Sequence, residues 1–440
     1  MTILDGIRER LGPSAVVRYA PGPGRASHEV VVVPAEYLGT AGRSGRGLTA
    51  EYFDNNRLDG EPRLVRTDST VAFGWTLNSP ARGIPFDWYS VRWSGRLTAP
   101  PGGVRRIGVE GNDGYRLYLG ERLLIDNWRK QSHGTRLADV ALSPGSVHDL
   151  RLEFFESTGP ARIRLVWDAG VADDWRARID SAVAAASGSD AAIVVAGIEE
   201  GEFRDRAFLR LPGHQEELIR RVAAAGRPVV VVLVGGSAIT MSGWLDAVDG
   251  VVLAWYPGEE GGHAVADVLF GDYNPAGRLP ITFPIAEGQL PLVYNHKPTG
   301  RGDDYLDLTG LPLFPFGFGL SYTSFAYTAL SIEPGTIAAD GTARVRCRVR
   351  NVGTRAGDEV VQLYVRDVLA SVARPVIELV DFRRVYLGPG EEREVLFTLG
   401  PEQLRMLDRD LRWVVEPGAF RVLVGSSSRD IRLRGELIVR

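Results

Sequence analysis

The chain has 440 residues, of which 44% are hydrophobic and 24% are charged, and its formal net charge at pH 7 is −4. This hydrophobic fraction excludes a wholly disordered chain, and the length predicts about two to four domains. The near balance of charges removes the usual electrostatic case for binding nucleic acid or an anionic membrane. A single cysteine, Cys347, excludes an intramolecular disulfide and a cysteine-based zinc cluster.

Residues 1–46 are predicted to form a short lead-in that ends in a linker. MTILDGIRERLG predicts a short amphipathic helix, and residues 15–19 predict a strand. A second apolar run follows at 30–33, and TAGRSGRG is typical of a linker or a domain seam. No apolar stretch follows the first charges as in a signal peptide, and none approaches the ~18 residues of a membrane span. The sequence as written therefore predicts a cytoplasmic protein, whereas a truncated N-terminus would leave the localisation open.

Residues 47–169 are predicted to form a β-sandwich. Short alternating runs such as YSVRWSGRL, YRLYLG and VHDLRLEFFE recur between turn signals such as Asn112-Asp113-Gly114. This stretch also holds Trp75, Trp88, Trp93, Trp128 and Trp167. Tryptophan can line a sugar site, although in a sandwich it more often belongs to the core.

Residues 170–320 have the pattern of a parallel α/β domain. The continuous apolar runs DAAIVVAG, RPVVVVLVGG and GVVLAWYPG predict buried parallel strands, with helices over 214–225 and around Trp244 between them. Ligands bind beyond the carboxyl ends of such strands, so chemistry is expected in the loops after Gly197, Val234 and Tyr256. Residues 321–440 return to alternation, with turns every ~8–12 residues, which is typical of an immunoglobulin-like or fibronectin-like sandwich.

The loop after Gly197, IEEGEFRDR, carries four carboxylates and two arginines. Burial and like-charged neighbours raise the pKa of a carboxyl group, as a general acid requires. Asp205 lies beside Arg204 and Arg206, which would hold it ionised and brace the loop. From composition alone, a solvated charged loop is the alternative. No HExxH or GxSxG motif occurs, which sets aside the metalloprotease and serine-hydrolase classes.

Several longer motifs follow one another in a recognisable order. They are EGEFRDR running into LRLPGHQEELI, AWYPGEEGGHAVADVLFGDYNPAGRLPITFP, YNHKPTGR, PLFPFGFGLSYTSF, NVGTRAGDEVVQLYVRD and VVEPGAFRVLVGSSS. Over essentially all 440 residues the chain resembles a glycoside hydrolase family 3 enzyme of the β-glucosidase type, and GLTAEYFDN through EGNDGYRLYLGERLLIDNW resembles an inserted PA14 module. The resemblance implies a parallel α/β-sandwich domain, incomplete at its N-terminus, that starts within 1–46 and continues over 170–320. It also implies that the PA14-like sandwich is inserted at 47–169 and that a fibronectin III-like domain follows over 321–440.

The resemblance also implies a chemistry. In this family an aspartate nucleophile comes from an N-terminal (β/α)₈ barrel, and a glutamate acid/base comes from the acidic loop. Carried over by position in the motif, Glu202 takes the acid/base role with Glu200 as the fallback, and Asp205 and Arg206 order the loop. No cofactor and no metal is implied. The expected partner is a carbohydrate with a terminal β-linked sugar, whose identity and linkage the sequence leaves open.

Nothing in the sequence resembles the barrel or its nucleophile motif, and three interpretations stay open. The chain is the C-terminal portion of a β-glucosidase, completed by a separate barrel chain or cut by a misplaced start codon. Alternatively, it is a stand-alone carbohydrate-binding or scaffold protein, or an inactive remnant. Asn112, Asp113 and Trp128 are the candidates for the substrate side of the PA14-like part. An Asn-Asp pair favours an ordinary turn there over a Ca²⁺ site.

Overall fold

The chain divides into two compact units, which interrupt one another along the sequence. The β-rich unit comprises Gly22–Ile179 and Glu199–Arg206, and the main unit comprises Met1–Pro21, Asp180–Ile198 and Ala207–Arg440. In the part of the chain that the structure describes, no helix is both long and apolar enough to cross a membrane. The computed structural model describes residues 1–25, 29–40, 45–76, 78–171, 174–201, 205–298 and 304–440.

The main unit begins with helix α1 (Ile3–Leu11), as the amphipathic pattern predicts. Thr2 caps the helix, because its side chain accepts a hydrogen bond from the Asp5 backbone N–H. The strand predicted over 15–19 is wrong: these residues form no strand, and Val16 is 75% exposed. A short apolar run becomes a strand only where a neighbouring strand pairs with it, and the sequence period does not reveal that partner.

In the described part of the β-rich unit, twelve strands form two antiparallel sheets. The strands are β1 (Val31–Val32), β2 (Leu38–Gly39), β3 (Leu48–Phe53), β4 (Leu64–Asp68), β5 (Ala72–Thr76), β6 (Tyr89–Thr98), β7 (Val104–Gly111), β8 (Gly114–Leu119), β9 (Arg122–Asn127), β10 (Gly134–Leu142), β11 (Val147–Glu156) and β12 (Ala161–Trp167). One sheet has the order β1-β12-β7-β10 with β5 also on β12; the other has the order β4-β3-β6-β11-β8-β9 with β2 on β6. Buried side chains from both sheets form one hydrophobic core, which makes this unit a β-sandwich.

Two strands of the sandwich lie ahead of residue 47, where the sequence places its beginning. Val31 of β1 pairs with Trp167, and Leu38 of β2 pairs with Leu97. Both are two-residue strands, too short for an alternating pattern to identify. The β-rich unit therefore begins at Gly22, upstream of the predicted boundary.

After the sandwich in the chain, three strands of the main unit form a parallel sheet. The elements in chain order are α2 (Trp175–Ser187), β13 (Ala192–Gly197), α3 (Gln215–Ala223), β14 (Val229–Val234), β15 (Gly250–Trp255) and α4 (Gly261–Phe270). The strand order is β13-β14-β15, and both pairings are parallel, as the continuous apolar runs predict. The connection from β14 to β15 holds only a 3-10 turn at Leu245–Ala247 instead of the helix predicted around Trp244. Glycines at 235, 236 and 243 disfavour a longer helix in this connection.

Helices α1 and α4 pack closely because each presents a glycine at their contact. A Cβ atom on Gly6 would lie 2.1 Å from the Gly262 carbonyl oxygen, and one on Gly262 would lie 2.3 Å from the Thr2 carbonyl oxygen. At its far end α1 is joined by Arg10 to Asp272, just beyond α4. This contact fixes the first helix of the chain on the last helix of the α/β part.

The last part of the main unit is a second β-sandwich. Its elements are β16 (Phe325–Glu333), β17 (Thr336–Ile337), β18 (Ala343–Asn351), β19 (Gly357–Asp367), β20 (Glu378–Leu387), β21 (Glu392–Leu399), α5 (Pro401–Leu404), β22 (Met406–Leu407), β23 (Trp413–Val414), β24 (Gly418–Gly425) and β25 (Ile431–Val439). The two main sheets have the orders β16-β18-β21 and β17-β25-β24-β19-β20. They share one hydrophobic core, in which Cys347 is buried.

A buried ion pair ties the irregular segment after α4 to this sandwich. The Arg278 guanidinium donates to the Glu359 carboxylate at 3.0 Å, and both side chains are buried. The Tyr327 hydroxyl donates to the other oxygen of Glu359 at 2.6 Å. Burial raises the pKa of Tyr327, so that its hydroxyl stays protonated as a donor.

Breaking this pair is expected to destabilise the main unit. The Glu359→Ala substitution leaves the buried Arg278 guanidinium unpaired, which should lower the free energy of unfolding by about 3–5 kcal/mol. Hydrogen exchange of β18 and β19 peptides in increasing urea measures the change. Glu392→Ala is the control, because Glu392 lies in an exposed pair with Arg348 at 3.6 Å and should cost at most about 1 kcal/mol. Equal losses from both substitutions would contradict the prediction.

Candidate functional site

The carboxyl ends of the three parallel strands meet at one edge of the sheet. The Ile198 N–H donates to the Val234 carbonyl at 3.0 Å, and the Gly235 N–H donates to the Trp255 carbonyl at 3.2 Å. A Cβ atom on Gly197 would lie 2.2 Å from the Val234 carbonyl oxygen, so glycine is required for this close approach. The three loops that the sequence singles out therefore leave the sheet side by side, which is where α/β proteins bind ligands.

The segment that follows the acidic loop, from residue 207 to α3, is anchored within the main unit. The Leu209 N–H donates to the Glu287 carboxylate at 2.6 Å, and the Leu209 carbonyl accepts from the Thr240 N–H at 3.1 Å. Leu211 is buried just before α3. These contacts fix the chain just after the acidic loop, and none of them involves a residue of the loop.

The predicted acid/base residue, Glu202, lies outside the described residues. Of its neighbours, Glu200 and Arg206 are half-buried and Asp205 is exposed. At the start of the loop, Glu199 pairs with Arg25 at 3.3 Å, with about half of each side chain exposed. The catalytic role of Glu202, the fallback role of Glu200 and the loop-ordering roles of Asp205 and Arg206 stay predictions.

The side chains of Asn112 and Asp113 in the β-rich unit accept hydrogen bonds from the backbone of a segment more than 40 residues further along the chain. Asp113 is 2% exposed, and its carboxylate accepts from the Ser157 backbone N–H at 2.8 Å. The Asn112 side chain accepts from the Arg162 N–H at 2.5 Å. Asp113 adopts a φ of 51°, a left-handed conformation that aspartate tolerates better than most residues. These contacts give both residues a structural part in the turn, and their contact with substrate stays a prediction.

Trp128, the third candidate of this unit, lies close to the stretch 155–157, with which Asn112 and Asp113 also make contact. Its ring meets the Phe155 ring edge-on at 4.9 Å, and the Arg116 guanidinium lies 4.7 Å from the indole centroid. The structure thus brings the three candidates together at the end of β11. Trp128 contacts Phe155, Asn112 bonds the next residue, and Asp113 bonds the residue after that. Of the other tryptophans here, Trp93 and Trp167 belong to the core, Trp75 stacks on Phe73, and Trp88 is 55% exposed.

Sequence reasoning missed Glu156, the residue between these contacts. Its side chain is fully buried and accepts from the Asn112 amide at 3.3 Å. Burial, followed by the neighbouring Asp113 carboxylate, raises the pKa of Glu156 to about 8, which favours the protonated form of this carboxyl group. The available signal was FFE at the end of β11, where a glutamate follows two buried aromatics. Within the described residues, no group of three or more His, Cys, Asp or Glu side chains is arranged to hold a metal ion.

Glu156 should make the stability of the β-rich unit depend on pH. Its folded pKa of about 8 exceeds the ordinary glutamate value of 4.5, so the folded state binds more protons between these values. Stability is therefore fully present below about pH 4.5 and falls as the pH rises toward 8. Glu156→Gln should remove this slope, as measured by hydrogen exchange of β11 and β12 peptides at pH 5, 6.5 and 8. Asp149→Asn on the exposed face of β11 is the control; a slope unchanged in Glu156→Gln would refute the prediction.

Comparison with known proteins identifies two regions of the chain. The profile of the glycosyl hydrolase family 3 C-terminal domain matches residues 1–322, and the fibronectin type III-like domain profile matches residues 359–428. The second match falls within the C-terminal sandwich and confirms its predicted fibronectin-like character. The first match covers the whole α/β part together with the β-rich unit.

Relatives at two levels of coverage are found. A β-xylosidase of Formosa agariphila is 44% identical over 255 residues, which are 56% of this chain and 35% of that protein. The probable β-glucosidase H of Emericella nidulans is 30% identical over 481 residues, covering 100% of this chain and 56% of that protein. The crystal structure of the Kluyveromyces marxianus β-glucosidase in complex with glucose has a TM-score of 0.62 and 28% identity, and covers 100% of this chain and 56% of that chain.

The chain thus spans between 35% and 56% of the length of these relatives. The family profile nevertheless matches well over half of the 440 residues. It includes the parallel sheet, the acidic loop and the helix after it. The chain belongs to the glycosyl hydrolase family 3 C-terminal domain family and carries a fibronectin type III-like domain after it.

Proposed function

We propose that this chain supplies the general acid/base part of a retaining β-glucosidase-type enzyme that removes terminal β-linked sugars. The observation that carries this proposal is the acidic loop at the carboxyl edge of the parallel sheet in a chain of this family. Glu202 protonates the leaving oxygen of the sugar and later takes a proton from the attacking water. Asp205 and Arg206 order the loop around it.

The nucleophile is proposed to come from a (β/α)₈ barrel, either elsewhere in the same polypeptide or on a separate chain. A retaining glycosidase needs a nucleophilic carboxylate about 5 Å from the acid/base, to form the covalent glycosyl-enzyme. The greater length of the relatives supports a contribution from outside these residues. The 440 residues alone are therefore expected to lack hydrolytic activity.

We further propose that the β-rich unit is a PA14-like module that contacts the carbohydrate substrate through Asn112, Asp113 and Trp128. Alignments that cover 100% of this chain include this unit, which supports its being a shared module. The contact of Trp128 with Phe155 gives the candidate residues a fixed arrangement. A stand-alone carbohydrate-binding protein is the alternative, favoured by the exposed indole of Trp88 at a φ of 62°.

Hydrolysis of 4-nitrophenyl β-glucoside and β-xyloside tests the proposal. The chain is assayed alone and together with any (β/α)₈ barrel encoded upstream of Met1 or in a neighbouring gene. Activity is expected only in the combined protein. Glu202→Ala should lower it by about 10²–10⁴-fold, because a general acid/base contributes about that factor. Glu200→Ala is the matched control, since it removes a carboxylate two residues away and should have a much smaller effect.

Leaving-group dependence separates acid/base loss from general damage. The 2,4-dinitrophenolate group leaves a glycoside without being protonated. Glu202→Ala should therefore retain far more activity on a 2,4-dinitrophenyl glycoside than on the 4-nitrophenyl substrate. Added azide should restore turnover of Glu202→Ala, because this anion attacks the glycosyl-enzyme without a general base. A larger loss in Glu200→Ala would transfer the role to Glu200. Activity of the 440-residue chain alone would overturn the proposal that the nucleophilic carboxylate lies outside these residues.

A further inference from the structure

A single buried amide, Gln215, holds both ends of the acidic loop. Its Oε1 accepts from the Gly197 N–H at 2.8 Å, and its Nε2 donates to the Gly197 carbonyl at 2.9 Å. The same Nε2 donates to the Pro212 carbonyl at 3.0 Å. Gly197 is the last residue of β13, and Pro212 closes the loop ahead of α3. The whole acidic stretch lies between these two bonded positions.

The hydrogen-bonding capacity of this amide matches what the two loop ends require. A glutamine side chain offers two N–H donors and an acceptor oxygen, and Gln215 uses all of them on backbone groups. The side chain is 5% exposed, so water does not compete for these groups. Gln215 is also the first residue of α3, whose buried face includes Ile219 and Val222. The amide is thus carried by a helix whose buried face is packed.

We propose that Gln215 is a positioning residue for the general acid/base of this enzyme, acting by keeping the two ends of the acidic loop at a fixed separation. This inference rests on the proposed function for the identity of the acid/base. A carboxyl group must sit within hydrogen-bonding reach of the leaving oxygen, and a misplacement of ~1 Å costs about 10²-fold in rate. The Gln215 clamp supplies this precision from outside the acidic residues.

Two substitutions remove different parts of the clamp. Gln215→Met keeps the length and unbranched shape of the side chain but removes all three hydrogen bonds. Gln215→Glu keeps an acceptor for the Gly197 N–H and, when ionised, loses both donors. The control is Gln362→Met. Gln362 is equally buried and donates to the backbone carbonyls of Gly317 and Ser426, far along the chain from the acidic loop.

Hydrogen exchange on the 440-residue chain tests the clamp itself. Gln215→Met should speed exchange in the peptide covering 196–201, which contains the Gly197 amide, while Val194 and Val232 keep the protection of the sheet. Gln362→Met should leave this peptide unchanged. Unchanged exchange at 196–201 in Gln215→Met would overturn the clamp without reference to any activity.

Kinetics of the chain combined with its barrel test the positioning role. Gln215→Met should lower kcat/KM about 10–100-fold on a 4-nitrophenyl glycoside and much less on the 2,4-dinitrophenyl glycoside, which needs no acid. The alkaline limb of its pH profile should move to lower pH, because a loosened loop is better solvated. Gln215→Glu should also lower kcat/KM at neutral pH. At low pH this variant should recover part of its activity, because its protonated carboxyl group donates a hydrogen bond again. The Gln362→Met control should change neither the substrate ratio nor the pH profile.

The hydrogen-exchange and kinetic experiments together distinguish failure of the clamp, of the positioning role and of the proposed function. Faster exchange at 196–201 with an unchanged substrate ratio overturns the positioning role while the clamp stands. An inactive wild-type combination overturns the proposed function, and exchange then decides the clamp alone. Equal substrate ratios in Gln215→Met and Gln362→Met would show a structural role only and would overturn the inference.

Discussion

The main unit depends on one constraint: backbone groups in its buried irregular segments must find hydrogen-bond partners. Between α4 and β16 the described chain has no α-helix or strand, only a 3-10 turn at Glu287–Gln289, so its buried backbone groups lack the regular partners of a helix or sheet. An unpaired buried backbone group costs free energy comparable to a lost hydrogen bond. Amide side chains solve this problem repeatedly, because one amide pairs with both a carbonyl and an N–H. Gln289 does so for Ile285 and Thr309, and Asn274 for Ala356 and Tyr322.

The same constraint gives several distinctive motifs of the sequence a structural role. Gln362 donates to the carbonyl of Gly317 in PFGFG, where a Cβ atom would lie 2.1 Å from the glutamine oxygen. The asparagine of DYNPAGR is Asn274, and a Cβ on Gly357 would lie 2.3 Å from its amide nitrogen. The arginine of the same motif makes the buried pair with Glu359. These motifs join the α/β part to the fibronectin-like sandwich, and their glycines make room for the joining side chains.

Sequence alone predicts the elements whose pattern is local. The apolar runs that became β13, β14 and β15 indicate buried parallel strands, and parallel order alone places their loops at one edge. Residues that act through long-range contacts escaped prediction. Gln215 reads as one polar position on an amphipathic helix, and only the tertiary fold brings Gly197 to it. Glu156 likewise ends an ordinary alternating strand, and only the tertiary fold brings Asn112 and Asp113 to it.

The chemistry of the clamp fits its place beside an acid. A lysine or arginine at the loop base would stabilise the ionised form of nearby carboxylates and lower their pKa values. An aspartate or glutamate would raise them and would leave the Gly197 and Pro212 carbonyls without donors. A neutral amide fixes the backbone through three hydrogen bonds and adds no net charge. Gln215 therefore fixes the ends of the acidic loop without adding a charge of its own to the electrostatics of the loop's carboxyl groups.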